Sequence, residues 1–70
     1  MVTLQNIQLR LAEAIKQSGF TQRSIAEKLN IKQQTVQQYV SGRAMPALDT
    51  FANLCKILDV SADDILGINE

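Results

Sequence analysis

Glutamine side chains are concentrated in one short segment of this chain. Gln33, Gln34, Gln37 and Gln38 lie within six consecutive residues. A glutamine amide presents an acceptor oxygen and two donor hydrogens on one planar group, so it can pair bidentately with N6 and N7 of adenine in a DNA major groove. Glutamine is also a good helix former, and a row of glutamines can be an ordinary solvated face. The scaffold that positions the amides decides between these interpretations.

The glutamines fall on one face of a predicted helix that runs from about Gln33 to Ser41. At about 100° per residue, Val36, Tyr39 and Val40 cluster on one side of this helix. The opposite side carries Gln34, Gln37, Gln38 and Ser41, with Gln33 in the exposed first turn. An apolar back and a polar front are what a helix inserted into a groove requires. Tyr39 is interpreted as packing and not as a stacking platform for single strands.

Apolar periodicity predicts an all-α fold, a compact five-helix bundle that contains a helix-turn-helix and has no strand pattern. The inward-facing residues of the other four helices are Leu4, Ile7, Leu11 and Ile15; Ile25, Ala26 and Leu29; Leu48, Phe51, Leu54, Cys55 and Leu58; and Ile65 and Leu66. At 70 residues there is room for one core, so we expect a single domain over residues 1–70, with the helix-turn-helix at about 21–42.

Turn and cap residues mark the boundaries between these helices. Gly19, Gly42 and Gly67 can adopt the left-handed conformation that ends a helix, and Asn30 tolerates it in the tight turn. Helix starts are predicted after Thr21, after Pro46, and after Ser61, which is followed three residues later by Asp64 in a pattern resembling a capping box.

The composition restricts the possible chemistry. One cysteine and no histidine are present, so neither an intramolecular disulfide nor a zinc site is expected, and no cofactor is predicted. Ser24, Ser41 and Thr50 have no histidine to act as base, which predicts a non-enzyme without an evident small-molecule substrate. No apolar run is long enough to span a bilayer and no signal peptide is evident, so a cytoplasmic protein is expected.

The net charge is zero, but its distribution along the chain is uneven. Residues 1–43 contain six basic and two acidic residues, a balance of plus four, and residues 44–70 contain one basic and five acidic residues, a balance of minus four. Local potential steers association more than net charge does, so the basic half could face phosphates. An ordinary mixed surface would show the same totals.

Several spaced segments resemble the Cro and phage-repressor family of helix-turn-helix proteins. These are Phe20-Thr21-Gln22, Ile25-Ala26-Glu27-Lys28-Leu29, Val36, Ser41-Gly42-Arg43, Pro46 and residues 54–61. The resemblance spans roughly residues 7 to 67. It implies that Gln33, Gln34 and Gln38 read bases, with Gln37 as a further possibility. It also implies phosphate contacts for Gln22 and Arg43, and it places Thr35 near the DNA backbone or a thymine methyl. The other predicted DNA-backbone contacts are Lys32, which lies at an exposed helix start, Arg23 and Ser41.

Two residues depart from the family pattern. Asn30 stands where the turn usually has Gly, and Ala47 stands where a Ser or Thr cap is common, so the fourth helix should start without a side-chain cap. Neither change touches the predicted reading face.

The expected function is transcriptional regulation, most simply repression, by a homodimer on a pseudo-palindromic double-stranded DNA operator. One bidentate pair discriminates by about 1–3 kcal/mol, so a single helix cannot select one genomic site. The dimer surface is predicted at Leu66 and Ile68, which are apolar and close to the chain end. The alternative is an antitoxin-like or scaffolding protein-interaction module that uses the same bundle.

Overall fold

The computed structural model describes residues 1–69, which form five α-helices and no strand. The helices are α1 Leu4–Gln17, α2 Gln22–Leu29, α3 Gln33–Ser41, α4 Leu48–Leu58 and α5 Ala62–Leu66. The predicted all-α, five-helix architecture is confirmed.

Side-chain caps start three of the helices. The hydroxyl oxygens of Thr3, Thr21 and Ser61 accept from the backbone N–H three residues further on, at 3.2, 3.0 and 3.4 Å. α4 begins after Ala47 without a side-chain cap, as predicted. The Asp64 carboxylate accepts from Asn69 Nδ2 at 2.8 Å, so within residues 1–69 the pattern after Ser61 is a simple cap and not a full capping box.

Left-handed residues end four of the helices. The expected positions Asn30, Gly42 and Gly67 have φ of 57°, 78° and 73°, and Gly19 follows α1 with φ of 81°. Asp59 ends α4 in the same conformation, with φ of 56°, which the sequence pattern did not predict.

One apolar core joins the five helices. α3 packs against α1 and α2, while α1 also contacts α5 and α2 contacts α4. The buried residues of the core are Leu11, Ile15, Ile25, Ala26, Val36, Tyr39, Phe51, Leu54, Cys55, Leu58 and Ile65. α3 is therefore held between two neighbouring helices, with its outer side left open.

The predicted core placement was wrong for two leucines. Leu48 is 88% exposed and Leu4 is 60% exposed. Both lie in the first turn of a helix, α4 and α1 respectively, beyond the part of the helix that its neighbours cover. They continue an apolar stripe in sequence, but no described element packs over them.

Candidate nucleic-acid interface

The apolar side of α3 anchors the helix to the bundle. Val36 is 0% exposed and Tyr39 is 7% exposed, and Val40 is half-buried against the same core. Full burial of a side chain of this size contributes about 1.5–3 kcal/mol. The prediction that these residues form the inner face is confirmed, and they fix which side of α3 faces outward.

The glutamine amides lie on the opposite side of α3. Gln33, Gln34 and Gln37 are exposed and Gln38 is half-buried. None of the four side chains has a hydrogen-bond partner within residues 1–69. Each amide therefore keeps its full set of donors and acceptors for an external ligand.

The turn between α2 and α3 sets the angle at which α3 leaves α2. Asn30 adopts φ 57° and ψ 45°, and its N–H donates to the Glu27 carbonyl at 3.2 Å. The Ile31 N–H donates to the Ala26 carbonyl at 3.0 Å. The Asn30 N–H also donates to the Ala26 carbonyl, so both carbonyls at the end of α2 have partners within the turn. The turn is closed by backbone bonds and does not need a side-chain partner.

The first turns of α2 and α3 present unpaired backbone donors. The N–H groups of Gln22 and Arg23, and those of Gln33 and Gln34, have no acceptor among the described residues. Helix N-termini carry a positive partial charge and bind anions such as phosphate. Lys32, which precedes α3, is exposed and makes no side-chain cap bond. The geometry suits phosphate groups at both helix starts.

The side chains predicted to contact the DNA backbone differ in their exposure and in their contacts within the protein. Gln22 and Thr35 are half-buried. Arg23 Nε lies 3.3 Å from Glu27 Oε1 in an exposed i,i+4 ion pair. Exposed pairs of this kind contribute little, about 0.3–0.5 kcal/mol, so a phosphate could replace Glu27 at low cost. Lys28 Nζ lies 5.4 Å from the centre of the Phe20 ring, which engages that cation within the protein.

Local hydrogen bonds to one backbone carbonyl hold the C-terminal end of α3. The Gln38 carbonyl accepts from the Arg43 N–H at 2.9 Å, from the Ala44 N–H at 3.3 Å and from the Ser41 hydroxyl at 3.3 Å. Gly42 supplies the left-handed residue that makes this geometry possible. Arg43 is exposed just beyond the turn, where its side chain can reach outward.

A hydrogen bond from α1 also reaches this end of α3. Gln8 Nε2 donates to the Gly42 carbonyl at 3.3 Å across 34 residues of sequence. Sequence reasoning did not identify Gln8 as a functional residue, because periodicity cannot show which distant backbone group a polar side chain on α1 contacts. Gln8 is half-buried, as expected for a side chain that packs between α1 and the end of α3.

Basic residues lie at both ends of α3, and three aspartates lie on α4 and α5. Basic residues such as Lys32 and Arg43 flank α3, whereas Asp49, Asp63 and Asp64 lie in the first turns of α4 and α5. Carboxylates at helix N-termini stabilise the helix dipole, which gives the aspartates a structural role. The local charge near α3 is therefore favourable for an anionic partner although the net charge is zero.

Tyr39 and Cys55 are core residues. Burial raises the pKa of the Tyr39 hydroxyl and of the Cys55 thiol above their ordinary values. A thiol with a raised pKa is a poor nucleophile. The interpretation of both residues as packing groups agrees with their burial.

The residues predicted to form a dimer surface lie beside the N-terminus of the chain. Ile68 is 61% exposed, and Leu66 is half-buried. Together with Met1, Val2 and Asn6 they line a shallow cleft between the start of α1 and the end of α5. The cleft is partly apolar and open to solvent.

Residues 1–69 contain neither a metal-binding cluster nor a membrane-spanning helix. No group of three or more His, Cys, Asp or Glu side chains is arranged to hold a metal ion. None of the helices has the length and apolar character needed to cross a membrane.

Comparison with known proteins identifies the fold of this interface. The sequence profile described as "Helix-turn-helix" matches residues 11–65. The HTH-type transcriptional regulator ImmR of Bacillus subtilis (strain 168) is 39% identical over 61 residues, which cover 87% of this chain and 48% of that protein. The chain thus spans about half the length of this curated relative. No solved structure matches the chain significantly.

The profile match covers most of the chain and includes α2, the left-handed turn at Asn30 and α3. It therefore agrees with the resemblance found in the sequence and with the geometry of the two helices. The chain belongs to the helix-turn-helix family of the Cro and phage-repressor type.

Proposed function

We propose that this chain is a sequence-specific, double-stranded DNA-binding transcriptional regulator that inserts α3 into the major groove. The observation that carries the proposal is the outer face of α3, where four glutamine amides without internal partners project from a helix anchored by Val36 and Tyr39. Glutamine pairs bidentately with adenine, and an α-helix fits the major groove. Family membership supports the same reading.

The proposed contacts divide into base readers and backbone anchors. Gln33, Gln34 and Gln38 contact bases, and Gln37 lies on the same face as a further base contact. The phosphate and sugar contacts come from Gln22, Arg23, Lys32, Thr35, Ser41 and Arg43. Backbone contacts fix the position of the protein and base contacts determine the sequence.

Affinity arithmetic supports a dimer as the functional unit. Each bidentate pair discriminates by about 1–3 kcal/mol, whereas specific binding exceeds nonspecific binding by about 4–10 kcal/mol. Two copies on a pseudo-palindromic operator, with half-sites about 34 Å apart, double the number of reading contacts. We assign the dimer surface to Leu66 and Ile68, since an exposed Ile68 beside a partly apolar cleft is the type of surface that a second copy covers.

Occupation of an operator by such a dimer would block a promoter, so repression is the proposed outcome. This function needs no cofactor, small-molecule substrate or catalytic group. A cytoplasmic location belongs to the same proposal, since the protein must share a compartment with its DNA partner.

Selection of bound sequences from a random duplex pool, followed by titration, tests this function. Gln34→Ala should lower affinity for the selected duplex by about 1–3 kcal/mol and leave binding to a scrambled duplex nearly unchanged. Gln17→Ala, on α1, is the matched control, because Gln17 is exposed and lies outside the proposed interface. Equal losses on the selected and scrambled duplexes would show that Gln34 does not read a base.

A protein-interaction module is the second candidate, because the net charge of zero is low for a DNA-binding protein. Retention on heparin at low salt separates the two functions. A DNA-binding protein is retained and is released as the salt concentration rises. Absence of retention, together with absence of an enriched duplex, would favour the interaction module.

A further inference from the structure

The C-terminal end of α3 is bonded to Gln8, a residue that is not among the proposed DNA contacts. Gln8 lies on α1, three residues before the fully buried Leu11, so both point to the side of α1 that faces the bundle. Its amide donates to the Gly42 carbonyl at 3.3 Å. We infer that Gln8 is a positioning residue that orients the Gly42–Arg43 peptide group, and with it the Arg43 side chain, for DNA binding; this inference rests on the proposed function.

The peptide group between Gly42 and Arg43 is held at both of its polar atoms. Its N–H donates to the Gln38 carbonyl of α3 at 2.9 Å, and its carbonyl accepts from Gln8 of α1 at 3.3 Å. A peptide group is planar, so two bonds on opposite sides fix its orientation. The direction in which Arg43 leaves the turn follows from that orientation.

The hydrogen bond from Gln8 has most effect at Gly42, where the backbone is otherwise least restricted. Glycine has wide backbone freedom, and an added Cβ at Gly42 would have no neighbour within 4 Å, so side-chain packing does not restrict this residue. The apolar contacts of Val36 and Tyr39 hold the body of α3, but apolar contacts are not directional. A hydrogen bond is directional, and Gln8 supplies one to the carbonyl of the residue that ends α3.

The orientation of the Gly42–Arg43 peptide group sets the distance between the base-reading glutamines and the Arg43 side chain. In the proposed complex the outer face of α3 contacts bases and Arg43 contacts a phosphate, and the spacing of these targets is set by the DNA. Without the Gln8 bond this peptide group keeps only the bond from the Arg43 N–H to the Gln38 carbonyl and can tilt about it, so Arg43 would sample positions that do not match a phosphate. Loss of the Gln8 bond should therefore weaken DNA binding through Arg43, although the fold stays intact.

The chain offers a matched control for this test. Gln5 lines the same groove between α1 and the end of α3, but its side chain makes no hydrogen bond within the described residues. Gln8→Met keeps the length of the side chain and removes its donor, and Gln5→Met makes the same change where no donor is used. Neither residue belongs to the proposed DNA contacts.

We expect Gln8→Met to lower affinity for the selected duplex about threefold to tenfold, the factor that corresponds to one neutral hydrogen bond. Gln5→Met should change it less than about twofold. In a double-mutant cycle the effect of Gln8→Met should largely disappear in an Arg43→Ala background, because coupled residues are not additive. Without DNA, the Arg43 amide should exchange its proton faster in Gln8→Met than in the wild type.

Three results would overturn the inference. These are unchanged DNA affinity in Gln8→Met, an equal loss in the Arg43→Ala background, and unfolding of Gln8→Met, which would make Gln8 a support of the whole bundle. Failure of the proposed function gives a different result: no duplex is preferred and Gln34→Ala has no effect, while the exchange of the Arg43 amide still reports on the contact between α1 and the end of α3.

Discussion

Replacing Val36 with Ala tests whether α3 is held by its apolar back. Val36 is 0% exposed and lies in the first half of α3. The change removes two methyl-sized groups from the core, about 0.8 kcal/mol each. A remaining cavity of roughly 40 Å³ adds about 1 kcal/mol at about 24 cal/mol per Å³. The better helix propensity of Ala offsets about 0.5 kcal/mol. The net loss of unfolding free energy is therefore about 2 kcal/mol.

Urea or thermal unfolding followed by circular dichroism measures this loss. For a domain of this size, about 2 kcal/mol corresponds to a fall in Tm of roughly 8–16 °C. Gln37→Ala, one residue further along α3, is the matched control. Gln37 is exposed and has no internal partner, so its replacement should change stability by less than about 0.5 kcal/mol.

The comparison of the two variants also concerns function. Once affinity is corrected for the folded fraction, Val36→Ala should bind the selected duplex nearly as well as the wild type, because Val36 has no exposed surface. A stability loss below about 0.5 kcal/mol for Val36→Ala would refute the view that this side chain anchors α3.

Three further predictions concern stability. Asn30→Gly should stabilise the fold by about 0.5–1 kcal/mol, measured by urea unfolding, because glycine adopts the left-handed turn without strain; a loss of stability would mean that the Asn30 side chain has a role of its own. Ala47→Ser should raise the urea midpoint by the equivalent of about 1 kcal/mol by supplying the cap that α4 lacks, and an unchanged midpoint would contradict this. The raised pKa values of Tyr39 and Cys55 mean that the folded state holds these protons more tightly than the unfolded chain. The contribution of these two groups to the free energy of unfolding should be complete below their ordinary pKa values of 10.0 and 9.0 and should be lost as pH rises through the raised values. The fall in stability should be shallower in Tyr39→Phe. A free energy of unfolding that stays constant from pH 8 to 11 would contradict this prediction.

Local signals in the sequence were sufficient for much of the fold. The caps at Thr21 and Ser61 and the left-handed turns at Asn30 and Gly42 depend on residues within a few positions of one another, so a single sequence contains the information. The two faces of α3 followed from helical periodicity for the same reason.

The errors and omissions concern information that is not local. Periodicity continues to the end of a helix, but burial stops where the neighbouring element stops, which is why Leu4 and Leu48 are exposed. Asp59 adopts a conformation for which aspartate carries only a weak signal. The bond between Gln8 and Gly42 joins positions 34 residues apart and depends on how α1 packs against α3. The roles of individual glutamines in base reading depend on the operator and stay predictions.

Cys55 gives this molecule a reporter of its own motions. It is the single cysteine of the chain, it lies on α4, and it is 5% exposed. An alkylating reagent can modify this sulfur only during excursions that lift α4 away from its neighbours, so the labelling rate measures the free energy of that partial opening. If α4 opens more easily than the whole bundle unfolds, Cys55 will be labelled faster than global unfolding allows. Slower labelling of Cys55 in the presence of a ligand would show that α4 is coupled to the glutamine face.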